Sequence, residues 1–140
     1  MKVLIVVATN FEITSDKLKI HPVLVTGIGM VNTSINLTRE LSKNSYDLVI
    51  NMGIAGSFKD FINIGDVVEI TEDSFSEIGF ENNNQFNKFS EFDIKTSFTV
   101  NPKSTLTRVK SITVNTVHGN AQSISEIVER ENTDIESMEG

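Results

Sequence analysis

An α/β fold built on a mostly parallel sheet is predicted by two observations. Val3 to Ala8 is a continuous apolar run, rich in β-branched residues, of the kind that forms a strand buried on both faces. Downstream, the chain runs strand, glycine turn, helix, strand, glycine turn, which is the cadence of an α/β sheet.

The elements follow in order. Val23 to Thr26 reads as a second short strand, broken by Gly27-Ile28-Gly29. A helix is predicted from Met30 to Lys43, with Val31, Ile35, Thr38 and Leu41 on one face. Asp47 to Met52 reads as a third strand that enters Gly53-Ile54-Ala55-Gly56-Ser57 directly, and Asp66 to Thr71 as a further strand after the turn at Gly65. Residues 72–92 are polar and include Glu81-Asn82-Asn83-Asn84-Gln85, so they read as a solvated surface excursion. Lys110 to Val117 is another strand. Ala121 to Arg130 is a helix with Ile124, Ile127 and Val128 inward, and Asp134 to Met138 begins a last strand. No repeat or linker divides the chain, and no helix closes its last strand. The expectation is a single domain, residues 1–140, lacking its C-terminal portion.

Composition narrows the function. The chain has 140 residues, 39% of them hydrophobic, which suits one domain with a modest core. Its formal net charge is −7, against the clustered Lys and Arg that non-specific nucleic-acid binding needs. The only arginines are Arg39, Arg108 and Arg130, few for a phosphate-rich ligand. The lack of cysteine excludes disulfides, thiolate metal sites and cysteine nucleophiles, and His21 and His118 alone make no metal cluster. The N-terminal apolar run is too short for a signal-peptide core, and no run approaches the length of a membrane span. A soluble, cytoplasmic protein with no membrane or nucleic-acid partner is expected.

Ligands of open α/β sheets sit outside the carboxyl ends of the strands. Glu12, Gly27-Ile28-Gly29, Gly53 to Ser57, and Met138-Glu139 all fall at such ends. Glycine turns let backbone amides approach a ligand, and two carboxylates in one cleft suit water activation and hydroxyl binding. Each feature also has a plainer reading. Glycine turns commonly just redirect the chain, Glu12 alone can be a solvated surface residue, and His21 before Pro22 is a loop residue. His118, before Gly119-Asn120, is either a pocket residue or a cap.

Taken together, these residues resemble a known family. Ala8-Thr9-Asn10-Phe11-Glu12, Thr26-Gly27-Ile28-Gly29-Met30-Val31, Ile50-Asn51-Met52-Gly53-Ile54-Ala55-Gly56-Ser57, Ile64-Gly65-Asp66-Val67-Val68 and Ser137-Met138-Glu139 stand in the order and spacing of the nucleoside phosphorylase/nucleosidase superfamily, of the purine nucleoside phosphorylase and uridine phosphorylase type. The resemblance covers essentially the whole chain. It implies a three-layer α-β-α sandwich around a central mixed, mostly parallel twisted sheet, incomplete at the C-terminus.

Within the superfamily the pattern is similar to the nucleosidase branch. Glu12 matches the glutamate that acts there as a base towards water. Asn51 stands where many phosphorylases place a phosphate-holding arginine, so a phosphate dianion would lack its charge-assisted partner. Thr113 to Asn120, Glu136 to Gly140, and Ile54 in place of a common serine resemble futalosine hydrolase more than the methylthioadenosine/S-adenosylhomocysteine nucleosidases.

The resemblance implies hydrolysis of a purine nucleoside through an oxocarbenium-like state. Glu12 is the catalytic base; Glu139 binds ribose hydroxyls, Met138 packs on the sugar, Val117 and His118 border the base, and Gly56 lets backbone approach the ligand. The group that protonates the leaving base falls beyond Gly140 in this reading, so the 140-residue chain alone is expected to be inactive or nearly so. No metal or organic cofactor is implied, and the full-length form is expected to be a homo-oligomer. The alternatives are a methylthioadenosine/S-adenosylhomocysteine nucleosidase, a phosphorylase yielding ribose 1-phosphate, and a nucleoside-binding fragment without catalysis.

Overall fold

The computed structural model describes residues 1–83, 85–89 and 94–140. They form two compact units, one of residues 1–55 with 138–140 and one of residues 56–137.

The first unit is organised by strand β1 (Val3–Val7), whose five residues are all buried. It lies between β2 (Val23–Val25) and β3 (Leu48–Asn51), and both pairings are parallel. Val3, Ile5 and Val7 pack against Ile13, Val23, Leu48 and Met52. The run is buried throughout, as expected, with β2 and β3 paired to its two edges. A 3-10 turn, Asn10–Glu12, follows β1 directly.

Helix α1 (Met30–Leu41) joins β2 to β3. The face that carries Val31, Ile35, Thr38 and Leu41 is exposed, with Val31 67% accessible. The buried residue is Thr33. Its hydroxyl lies 3.2 Å from that of Thr26, and the Asn36 amide donates to the Thr26 carbonyl at 2.8 Å. These polar contacts dock the helix, and residues about half a turn away from Thr33 then point outward.

In the second unit, β4 (Gly56–Ser57), β5 (Val68–Phe75), β8 (Ser97–Thr99), β9 (Thr107–Thr113) and β10 (Ile135–Ser137) form one sheet in the order β4-β10-β9-β5-β8. The central pairs β10-β9 and β9-β5 are parallel, and both edge strands run antiparallel. A separate hairpin pairs β6 (Gly79–Asn82) with β7 (Gln85–Lys88). Helix α2 (Ala121–Glu131) connects β9 to β10. The Asn120 side chain caps its start by accepting from the Ser123 amide at 3.0 Å, and Asn132 ends it in the left-handed conformation. Ile127 is buried, with Ile124 and Val128 half-buried beside it, as the spacing predicts.

The surface excursion expected over residues 72–92 is corrected where it is described; Asn84 and residues 90–92 lie outside the described residues. Strand β5 continues through Glu72, Asp73 and Ser74 because β9 supplies partners for polar side chains. Thr113 donates its hydroxyl to Asp73 at 2.6 Å, and Lys110 pairs with Glu72 at 3.1 Å. The run from Glu81 belongs to the hairpin, with Asn83 at its turn at φ +50°. The hairpin is tied to α2: Lys88 pairs with Glu131 at 2.5 Å, and the Arg130 guanidinium lies 4.4 Å from the centre of the Phe86 ring.

Candidate active site

The first unit gathers its chemistry at the carboxyl ends of its three parallel strands. After β1, the turn at Asn10–Glu12 brings the Glu12 carboxylate back towards the strand, where its Oε2 accepts from the Thr9 amide at 2.8 Å. Its other oxygen lies against the turn after β3. A Cβ placed on Gly53 would sit 2.7 Å from Glu12 Oε1, so glycine is what leaves room for the carboxylate. Glu12 is half-buried: anchored at one oxygen, yet within reach of solvent.

After β2 the chain turns through Gly27 at φ +88° and Gly29 at φ +94°, a region of backbone that favours glycine. Gly29 is the N-cap of α1, and its amide donates to Glu139 Oε1 at 2.9 Å. Glu139 Oε2 accepts from the Met138 amide at 3.3 Å, and the Asn51 amide at the end of β3 donates to the Glu139 backbone carbonyl at 2.9 Å. The carboxylate thus stands at the positive end of α1, held by main-chain donors. Asn51, where a phosphate-binding arginine was looked for, instead ties down the segment that carries Glu139.

The second unit places Gly56, Val117 and His118. Val117 is exposed. Gly56 lies on edge strand β4 opposite Glu136, and a Cβ there would sit 3.4 Å from Glu136 Cγ. His118 engages Glu136 twice: its amide donates to Oε1 at 2.8 Å, and its ring Nδ1 lies 2.6 Å from Oε2. Glu136 is 2% exposed. A carboxylate this deep in a sheet needs its lone pairs filled, and both of its oxygens are occupied by His118.

Glu136 is the residue that sequence reasoning left without a role. Its signal was present: an acidic residue between Ile135 and Ser137, at an inward position of a predicted strand, requires a partner. An open cavity of about 700 Å³ in the second unit, bordered by Phe58, Lys59, Asp60 and Ile64, contains none of the predicted site residues. Among the described residues no helix is long and apolar enough to cross a membrane.

Comparison with known proteins gives a family and a fold. The family model described as the phosphorylase superfamily matches residues 7–129. The 5'-methylthioadenosine/S-adenosylhomocysteine nucleosidase of an Exiguobacterium species is 48% identical over 50 residues, 36% of this chain and 22% of that protein. The enzyme of the same name from Bacillus thuringiensis is 43% identical over 63 residues, 44% of this chain and 27% of that protein. The matched stretches therefore span about a quarter of those relatives' length.

Among solved structures, the Campylobacter jejuni 5'-methylthioadenosine/S-adenosylhomocysteine nucleosidase superposes with a TM-score of 0.81 at 19% identity, over 100% of this chain and 76% of that one. A futalosine hydrolase mutant from Helicobacter pylori superposes with a TM-score of 0.74 at 15% identity, again over 100% and 76%. At such identities the likeness is one of fold: a mixed α/β fold with a mostly parallel sheet.

Proposed function

This chain belongs to the phosphorylase superfamily, and we propose that it hydrolyses the N-glycosidic bond of a purine nucleoside, with futalosine as substrate and hypoxanthine and dehypoxanthine futalosine as products, a step of menaquinone biosynthesis. The observation that carries the reaction class is the carboxyl edge of β1, β2 and β3. It holds Glu12, the glycine turn at Gly29 and, clasped by that turn, Glu139.

In this reading a water molecule attacks the anomeric carbon of the ribose. Its proton passes to Glu12, the C–N bond breaks, and the electron pair of that bond leaves with the purine. Glu12 is suited to accept the proton because one oxygen is fixed by Thr9 and the other stays unshielded beside Gly53. Glu139 uses one lone pair of each oxygen on a backbone amide and keeps others for ribose hydroxyls. Those hydrogen bonds strengthen as positive charge develops on the sugar. The resemblance further implies that Met138 lies against the sugar and that Val117 and His118 border the base.

Water rather than phosphate is the nucleophile in this proposal. Arg39 lies in the last turn of α1, at the end opposite Gly29, and Arg130 is engaged by the Ser76 carbonyl and the Phe86 ring. Asn51 offers an amide in place of a cation, and that amide is already donated to Glu139.

The choice of futalosine rests on Thr113 to Asn120, Glu136 to Gly140 and Ile54, which resemble the futalosine hydrolase pattern. A second reading, methylthioadenosine or S-adenosylhomocysteine as substrate, is favoured by the names of the relatives. The test is release of free base from futalosine and from methylthioadenosine, assayed side by side without phosphate, in a form extended past Gly140 to the length of the structural relatives. Faster hypoxanthine release from futalosine is expected. Preference for methylthioadenosine would overturn the substrate, and strict dependence on phosphate would overturn hydrolysis.

A further inference from the structure

The pair formed by His118 and Glu136 is more closely built than a base-bordering residue needs. Glu136 lies on β10, in register with Gly56 on one side and Ile112 on the other, and is 2% exposed. Both its oxygens are spent on one residue, the His118 main-chain amide at 2.8 Å and the ring Nδ1 at 2.6 Å. The His118 side chain itself keeps 20% of its surface accessible. Among the described residues, ring Nε2 has no hydrogen-bond partner.

A carboxylate only accepts, so Nδ1 must carry the proton in this contact. In the neutral ring that leaves Nε2 bare, as a hydrogen-bond acceptor. The two-point grip also fixes the direction of the ring, because amide and imidazole belong to the same residue. This is the logic by which a buried partner sets the tautomer of a ligand-binding histidine.

We propose that Glu136 is a positioning residue that locks His118 in the Nδ1–H tautomer, and that Nε2 of His118 thereby discriminates 6-oxopurine from 6-aminopurine nucleosides. The proposal rests on the reading above that His118 borders the base. The two base classes carry opposite donor and acceptor patterns on the same edge: a carbonyl with a ring N–H, or an amino group with a bare ring nitrogen. A single fixed ring nitrogen can therefore tell them apart, and reversing its polarity must change the ratio in which they are accepted. Gly56 fits this design, since a side chain there would press on Glu136 Cγ and Oε1.

The experiment has a spectroscopic and a kinetic arm, both on the extended form. Nitrogen NMR of histidine-labelled protein, recorded above the titration of the ring, should show a protonated Nδ1 and a bare Nε2 at His118. In Glu136→Gln the side-chain amide supplies a donor towards Nδ1, and the signals should exchange to the Nε2–H form. The ratio of kcat/KM for inosine-type over adenosine-type nucleosides should change by about tenfold or more in that variant, the scale expected of one buried hydrogen bond in substrate discrimination. His118→Gln should shift the same ratio without unfolding the protein, and it decides the matter if Glu136→Gln fails to fold.

A wild-type His118 in the Nε2–H tautomer would overturn the inference. So would an unchanged base preference in the variants that do fold. If the protein cleaves no purine nucleoside at all, the proposed function fails, whereas cleavage with no role for the pair sinks only this inference.

Discussion

Glu139 and Glu136 stand three residues apart and are held in opposite ways. Glu139 accepts from the main-chain amides of Gly29 and Met138, and it remains half-buried. Glu136 is enclosed, and its partners are the amide and ring of a single histidine. Each carboxylate takes one partner per oxygen, so burial separates them: half-buried Glu139 keeps accessible lone pairs and is an anchored acceptor for something else. Enclosed Glu136 has no such access and acts through the His118 ring that it orients. Glu69 adds a warning. It too accepts main-chain donors, from Lys103 at 2.6 Å and Ser104 at 3.2 Å, yet it only staples a surface loop. An amide clasp becomes a candidate site when it lies at the carboxyl edge of parallel strands.

Four changes break or sharpen this comparison. The largest effect is expected from Glu12→Gln in the extended form. Removing the base should lower turnover by about 10²–10⁴-fold while nucleoside binding, followed by calorimetry, is largely spared. Undiminished turnover would return Glu12 to the status of a surface residue.

Glu139→Gln comes next. An amide cannot accept from both Gly29 and Met138 through two oxygens, and it loses the negative charge at the start of α1. A fall in kcat/KM on the order of tenfold or more is expected, the scale of one charge-assisted hydrogen bond. A variant as active as the parent would show that this carboxylate caps the helix and does not bind ribose.

A smaller loss is expected from Gly53→Ala. The added methyl group would displace the end of the Glu12 side chain and little else. Turnover should fall by roughly severalfold, since misplacing a catalytic group costs rate. The melting temperature should stay close to that of the parent, and a large drop in it would mean that Gly53 is held by backbone constraints instead.

The smallest effect concerns Glu69. Its hydrogen bonds from the Lys103 amide and from Ser104 hold its carboxyl below the usual carboxylate range. A depressed folded-state pKa means that the clasp is intact above the unfolded value and is lost as pH falls through the folded one. Hydrogen exchange at the amides of Lys103 and Ser104 should therefore accelerate, relative to intrinsic rates, only in acid. Glu69→Ala should abolish that pH dependence and leave nucleoside cleavage unchanged.

Much of the sheet was legible because its signals are local. The run Val3–Val7, the glycine turns after β2 and β3, and the capped helix after Asn120 each state their conformation within a few residues. What escaped depended on partners distant in sequence. Strand β5 reads as ending at Thr71 because Glu72 and Asp73 are polar, and only Thr113 and Lys110 on β9 explain their place in a sheet. The docking of α1 was not legible in hydrophobic spacing, because the helix is held through Thr33 and Asn36. In the candidate site, Glu12 and Glu139 were recognisable from their positions after strands. Glu136 was not, since its meaning comes from His118, 18 residues earlier.

The bond from Gly29 to Glu139 spans 110 positions of the chain. During synthesis from the N-terminus, α1 emerges long before its capping carboxylate exists. The start of that helix must therefore wait for its carboxylate until Glu139 has been added. Contacts of such separation are entropically costly to close and form late in folding. The Gly29 amide is consequently a timer for the first unit: its protection from exchange marks the moment when Glu139 has reached the start of α1.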